Sequence, residues 1–279
     1  MQESKIQINT AKDRLNFALH FGINAAMLGA AVICSHPIAI AGALVSAINF
    51  SQRVPHAGQI TGMHLVLRDA AAKIGKDSPL QRAANEIAGR FGLKKTPKIY
   101  VLTRGSYTSG ATAQVWPCGD VFMSAALVAQ TNLEQQKGVI AHEFGHWLAG
   151  HLIQERIIHF TGGAARDVLI LGAAIRTLQY ITESQSLPAS CLTLAAAGGA
   201  WLINEGIKRN FFRLTEYHAD RLGAQATSPE TMEDMLIHVR KIDVDYHGEA
   251  AEQAHDKESW GRHPPIFSRC AALRTLTHT

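Results

Sequence analysis

Apolar residues concentrate in two long stretches of the chain, and this uneven distribution dominates its hydrophobic pattern. From Leu15 to Phe50 there is no Lys, Arg, Asp or Glu, and the run breaks at Ser35-His36-Pro37. The first segment has about twenty residues, enough to cross a bilayer, and the second is shorter, so the pattern predicts a membrane hairpin. Lys5, Lys12 and Arg14 precede it and Arg53 and Arg68 follow, which places both ends in the cytoplasm by the positive-inside rule. His20, Asn24 and His36 within it keep open a buried helical hairpin of a soluble protein. The second stretch, Val168 to Ile203, is interrupted at 182–188. Its first half is about fourteen residues long and carries Arg176, which would cost about 2.5–3.5 kcal/mol at a bilayer centre. Leu187 to Ile203 is cleaner but at the lower length limit for a span.

Elsewhere the pattern changes to amphipathic helices and short strands. Ser78-Pro79 reads as an N-cap with Pro at the first helical position; Leu80, Ala83, Ala84, Ile87 and Phe91 then share one face, and Gly92 stops the helix. Lys98 to Leu102 reads as a strand, and Val115 to Met123 as two short β segments around a Pro/Gly/Asp turn. Apolar residues at helical spacing predict helices from Asn132 through His146, over Thr231 to Lys241, and from Ile266 to Leu276 after Pro264-Pro265. Tyr246 to Arg262 is polar and reads as a solvated connection, with a lid over a nearby site as the alternative. The sum is an α+β, mainly helical protein with a small β-sheet and added hydrophobic helical hairpins.

Composition narrows the classes. The chain has 279 residues, 47% of them hydrophobic and only 18% charged, which is apolar for a soluble enzyme of this size. A net charge of +4, with no basic block interleaved with aromatics, gives no support to nucleic-acid binding. Cys34, Cys118, Cys191 and Cys270 stand far apart without metal-type pairing, so reduced thiols are expected.

The chemistry concentrates in His142-Glu143-Phe144-Gly145-His146. On a helix, residues four apart share a face, so both imidazoles reach one metal while Glu143 faces the open coordination position as a general base. The alternative is an ordinary helix with two histidines at that spacing. A catalytic zinc needs a third protein ligand, and Glu216 and Asp220, again four apart, can give one carboxylate to the metal and let the other accept a hydrogen bond from a ligand histidine. Taken alone they would be solvated charges. His218, two residues from Glu216, points to another side of that helix and reads as a bystander. His151, five residues beyond His146 and directly after Gly150, has the wrong spacing for a third histidine ligand.

These motifs resemble the HtpX-like and CAAX-prenyl-protease group of membrane metallopeptidases. Glu134 through His146 is similar to that family's zinc helix, and Glu216-Tyr-His-Ala-Asp220 to its Glu-x-x-Ala-Asp element. His263-Pro264-Pro265 with Arg269 is similar to its C-terminal element, and Pro97-Lys-Ile-Tyr-Val101 to its first strand. The resemblance spans about residues 80 to 276. It implies a zincin-like fold with one Zn2+ per chain held by His142, His146 and Glu216. It further implies Glu143 as the base, Asp220 as support, and His263 and Arg269 as groups that contact substrate or developing oxyanion. Ser106 to Gln114 departs from the Asn-Ala segment usual at that point in HtpX-like members.

The expectation is therefore a membrane-associated zinc endopeptidase acting on unfolded or misassembled proteins, a multi-pass protein of the inner (cytoplasmic) membrane with its site facing the cytoplasm. Polypeptide substrates and a lipid membrane are the expected partners, nucleic acid is not, and the oligomeric state is open. The expected divisions are a hydrophobic hairpin at 1–56, catalytic halves at 57–166 and 208–279, and a hydrophobic insertion at 167–207. The alternatives are a soluble zinc peptidase whose apolar segments form a core or oligomer interface, and a non-catalytic zinc-containing membrane scaffold or chaperone.

Overall fold

A computed structural model describes residues 14–23, 71–103, 110–155, 187–248 and 263–278, together with positions 157, 158, 161, 170, 174 and 178. The contact pattern divides the chain into two units. One comprises residues 1–10, 61–152 and 212–279, and the other comprises 11–60 and 153–211.

The first unit holds a small mixed sheet and most of the helices. Its elements are β1 (Ala71–Lys73), α1 (Pro79–Arg90), β2 (Ile99–Leu102), β3 (Ala113–Val115), β4 (Val121–Ser124), α2 (Ala125–Gln130) and α3 (Leu133–Leu148). A long helix α4 (Leu187–Ala226) enters this unit with its C-terminal part, and α5 (Pro229–His247), α6 (Ile266–Arg274) and a final 3-10 turn (Thr275–His278) complete it. The strand order is β1-β2-β4-β3, with β2 and β4 parallel and both outer strands antiparallel. Strand β1 has no signal in the sequence pattern, being three residues of Ala-Ala-Lys.

Local chemistry sets the boundaries. Ser78 accepts a hydrogen bond from the Gln81 amide and Pro79 starts α1, as the sequence predicts. Asn132 and Gln135 form a reciprocal capping box that starts α3. Ser228 caps α5, which begins at Pro229 and runs to His247, so Tyr246 and His247 are helical rather than part of a connection; residues 249–262 lie outside the described residues. Both inner strands are buried along their whole length, and Tyr100 stacks on its cross-strand partner Phe122 with ring centroids 4.8 Å apart.

The core lies between the sheet and helices α1, α3, α5 and α6. It is filled by Ile87, Ile99, Met123, Ile140, Phe144 and Met232, all essentially inaccessible to solvent. Gln81 is buried with them, and its amide accepts from the Ile99 N–H and donates to the Pro97 carbonyl, closing the polar groups where β2 begins. Helix α3 crosses the C-terminal part of α4 at Gly145, where an added Cβ would lie 3.1 Å from the Ala219 carbonyl oxygen and 3.2 Å from its Cα. A side chain there would force the Ala219 backbone of α4 to give way by a few tenths of an ångström.

In the second unit, residues 14–23 are helical, as is the part of α4 from Leu187 through Lys208 and Arg209. His20 meets the Asn16 carbonyl at 2.6 Å and the Asn210 side chain at 3.1 Å. Among the described residues no helix is long and apolar enough to cross a membrane. A span over Leu187 to Ile203, left open by its length, is thus not supported, whereas most of the 15–50 hairpin and of 168–181 lies outside the described residues.

Gly145→Val should pry α3 from α4, giving a lower melting temperature and weaker metal uptake. Gly89→Ala, at an open position on α1, should stabilise by up to about 1 kcal/mol. Thermal melts and metal titrations of the two variants check this contrast.

Candidate metal centre

Three donors converge where α3 passes α4. His142 and His146 project from one face of α3, with their Nε2 atoms 3.1 Å apart. The Glu216 carboxylate reaches across from α4, with Oε2 3.6 Å from His142 Nε2 and Oε1 3.4 Å from His146 Nε2. Two donors each about 2.0–2.1 Å from one tetrahedral ion stand about 3.3–3.4 Å apart. The observed separations bracket that value, so these residues fit a zinc-sized ion. Among the described residues this trio is the one group of His, Cys, Asp and Glu that can hold a metal.

The supporting groups differ for the two imidazoles. His142 Nδ1 approaches Asp220 Oδ1 at 3.0 Å, the carboxylate contact that leaves Nε2 with its lone pair toward a metal. His146 instead turns Nδ1 to another imidazole, His151, at 3.0 Å, and His151 Nε2 lies 3.1 Å from His218 Nδ1. His218 is not one of the three donors, in keeping with its reading as a non-ligand, but it is buried against this ring: it is 5% exposed and His151 2%. The local cause is Gly150. Helix α3 ends at Leu148, Gly150 takes a left-handed φ of 74° with its N–H on the Trp147 carbonyl, and a new helical segment starts at 151. That turn carries His151 back beside His146, which i+5 spacing on a straight helix does not. Gly150 immediately before a histidine was the only signal of it in the sequence. Burial, followed by the neighbouring His146 and His218, holds the His151 pKa well below the usual histidine value.

The two carboxylates of α4 owe their charge to Arg269 on α6. Its Nε and Nη2 donate to Asp220 Oδ2 and Oδ1 at 2.7 and 2.6 Å, and Nη1 lies 3.2 Å from Glu216 Oε2. Burial alone would push both carboxyl groups up, but the Arg269 guanidinium, with help from His146 and His263 on Glu216 and from His142 on Asp220, holds both below the carboxylate range, Glu216 well below. The same pairing outweighs burial at Arg269 itself and raises its pKa further. Arg269 is buried, 6% exposed, and lines the same cavity as His142, Glu143 and Glu216. His263 is exposed over 68% of its side chain, with Nδ1 3.3 Å from Glu216 Oε1. That contact and the Glu216 charge raise its pKa despite partial burial.

Glu143 faces the cleft, and its Oε2 accepts a hydrogen bond of 2.9 Å from the Val115 N–H of edge strand β3. The sequence predicts the hairpin but not this contact. Toward β4 the strand uses the Thr112 carbonyl and the Trp116 N–H. By antiparallel alternation the backbone groups of Ala113 and Val115 therefore point the other way, into the cleft. Trp147, one residue after His146, fixes the hairpin by donating to the Pro117 carbonyl at 3.1 Å, and its indole lies against Gly119, whose φ is 88°. A cavity of about 300 Å³ opens at the site, and its lining includes His142, Glu143 and Glu216 together with apolar Leu127, Val139 and Leu236. Asp243 borders it and anchors the approach to β3 by accepting from the Ala111 N–H at 2.7 Å.

Two imidazole nitrogens and a carboxylate oxygen, beside a second carboxylate free to handle a proton, are the donor set of a catalytic rather than a structural zinc site. Residues 75–277 match the family model for Peptidase family M48. The chain belongs to that family and to its HtpX-like group. It is similar to a "Protease HtpX homolog" of Pyrobaculum aerophilum, 27% identical over 170 residues that cover 60% of this chain and 48% of that one. A homologue of the same description from Archaeoglobus fulgidus is 26% identical over 173 residues, covering 62% and 49%. "Protease HtpX" of Acinetobacter baumannii (strain AYE) is 25% identical over 242 residues, covering 79% and 78%. The chain thus spans about half the length of the two archaeal relatives and more of the bacterial one.

Arg269→Leu would strand two buried carboxylates without their cation and should cost about 3–5 kcal/mol. Because folded Asp220 and Glu216 titrate below their ordinary values, their stabilisation is complete above the ordinary carboxylate range near about pH 4 and fades as pH falls through the depressed folded values. Urea midpoints of the metal-free proteins between about pH 3 and 7 should fall with acid in the wild type. They should stay flat or rise toward acid in Arg269→Leu; parallel profiles would contradict the pairing.

Proposed function

We propose that this chain is a zinc-dependent endopeptidase attached to a membrane. The observation that carries the proposal is the convergence of His142, His146 and Glu216 at tetrahedral spacing, with Glu143 at the mouth of an apolar cleft beside an edge strand. Membership of Peptidase family M48 and likeness to proteins described as proteases support hydrolysis of peptide bonds.

Bound at this trio, zinc would supply a Lewis acid for the scissile carbonyl and make a water molecule acidic near neutral pH. The residues do the rest. Backbone groups of β3 at Ala113 bind an extended peptide by strand addition and hold its carbonyl near the trio. Glu143, held by Val115, takes one proton from the attacking water and passes it to the departing amine nitrogen, so the carbonyl carbon gains an oxygen and loses the C–N bond. His263 offers an N–H to the carbonyl oxygen as negative charge builds there. Arg269 and Asp220 act through other groups, the first fixing Glu216 and the second orienting His142. Leu127, Val139 and Leu236 favour an apolar side chain next to the scissile bond.

Membrane attachment rests on the charge-free 15–50 stretch and on exposed apolar side chains, among them Leu15, Leu19 and Ile23 in the 14–23 helix and Trp201, Leu202 and Ile203 on α4. With the site on the cytoplasmic side, unfolded or misassembled membrane proteins are the proposed substrates. The second reading is a soluble peptidase of the same chemistry whose apolar segments form a core or oligomer interface, and it rests on His20, Asn24 and His36 within that 15–50 stretch. Carbonate-washed membranes should retain the protein, and recovery in the supernatant would favour that second reading.

Casein cleavage after chelation and zinc return tests the chemistry. Wild type should recover activity; Glu143→Gln should take up the same single zinc yet lose at least about 10³-fold in rate, because removal of a base forfeits its proton transfer. A Glu143→Gln protein as active as wild type would end the proposal.

A further inference from the structure

We propose that the buried pair His151 and His218 are positioning residues that lock metal ligand His146 in a single tautomer and thereby tighten the hold on the metal. This rests on the metal reading above and extends it to two residues that take no part in that chemistry.

The geometry fixes the protons one after another. His146 turns Nε2 toward His142 and Glu216, so a metal there takes the Nε2 lone pair and leaves the proton on Nδ1. That N–H points at His151 Nδ1, 3.0 Å away, which must then accept and carry no proton. A neutral His151 therefore bears its proton on Nε2, and that N–H points at His218 Nδ1, 3.1 Å away. Three rings are thereby aligned head to tail, each N–H directed away from the metal, and successive rings meet edge to face with centroids 5.0 Å apart.

Reversing any link would set two N–H groups or two lone pairs against each other where little solvent reaches. Burial of all three rings makes such a mismatch costly, so once a metal takes His146 Nε2 a single arrangement of the whole chain remains. Metal-ligating histidines ordinarily give their second N–H to a carboxylate, a carbonyl or water. His142 has the Asp220 carboxylate 3.0 Å from its Nδ1, whereas His146 Nδ1 faces an imidazole. The far end of this chain is supplied by α4, the helix that also brings Glu216, so ligand and clamp move together.

Zinc affinity measured by competition with a fluorescent chelator, on the full chain, tests this. His151→Phe keeps a ring but removes the acceptor and should bind zinc about 10–100-fold more weakly. His151→Gln, whose carbonyl can accept from His146, should recover most of that loss, and melting of the metal-free proteins reports whether each variant is folded. Nitrogen-15 spectra of the zinc-loaded wild type need no variant and should show His146 protonated on Nδ1 and His151 on Nε2. Equal affinity in folded His151→Phe, a His151→Gln no better than His151→Phe, or a His151 proton on Nδ1 would each overturn the inference. A wild type that takes up no zinc would instead overturn the metal reading, and this inference with it.

Discussion

Two carboxylates buried four residues apart on one helix can stay ionised only if a cation is buried with them, and Arg269 is that cation. Its guanidinium spans Asp220 with two short hydrogen bonds and touches Glu216 with its remaining nitrogen. Without it, desolvation would favour protonated acids, which neither ligate a metal well nor orient an imidazole. The arrangement couples three elements, since α6 supplies the arginine, α4 the carboxylates and α3 the histidines. It also gives the His-Pro-Pro segment a structural purpose: Pro265 precedes the first turn of α6, and the turn after it presents Arg269 inward while His263 stays at the exposed mouth.

Around that charge cluster the backbone is shaped by a few small residues. Gly145 permits the close passage of α3 over Ala219, Gly150 reverses the chain to bring His151 behind His146, and Gly119 receives the Trp147 indole that pins the β3–β4 hairpin. Through the hairpin, the Val115 amide meets Glu143. Each side chain of the site is therefore oriented by a neighbour from a different segment, which is how a constellation gains the rigidity that catalysis requires. His142 and His146 differ in what backs them, a carboxylate behind the first and imidazoles behind the second. The electron donation each can make to a metal differs accordingly.

The sequence determined most of the elements and the candidate reacting groups. Helical spacing joins His142 to His146 and Glu216 to Asp220; caps at Ser78, Asn132 and Ser228 and the turn at Pro117 to Asp120 are local hydrogen-bond chemistry, written in neighbouring residues. Family motifs added His263 and Arg269. What only the tertiary structure decided are relations between segments far apart in the chain: Arg269 against the α4 carboxylates, Val115 on Glu143, and His151 with His218, which are 67 positions apart. The three-residue strand β1 is of the same kind, since its pairing with β2 rather than any propensity of Ala-Ala-Lys makes it a strand. Periodicity reports which face a residue occupies on its own helix. Which partner meets that face depends on how helices cross and where a glycine turns the chain, and those are properties of packing.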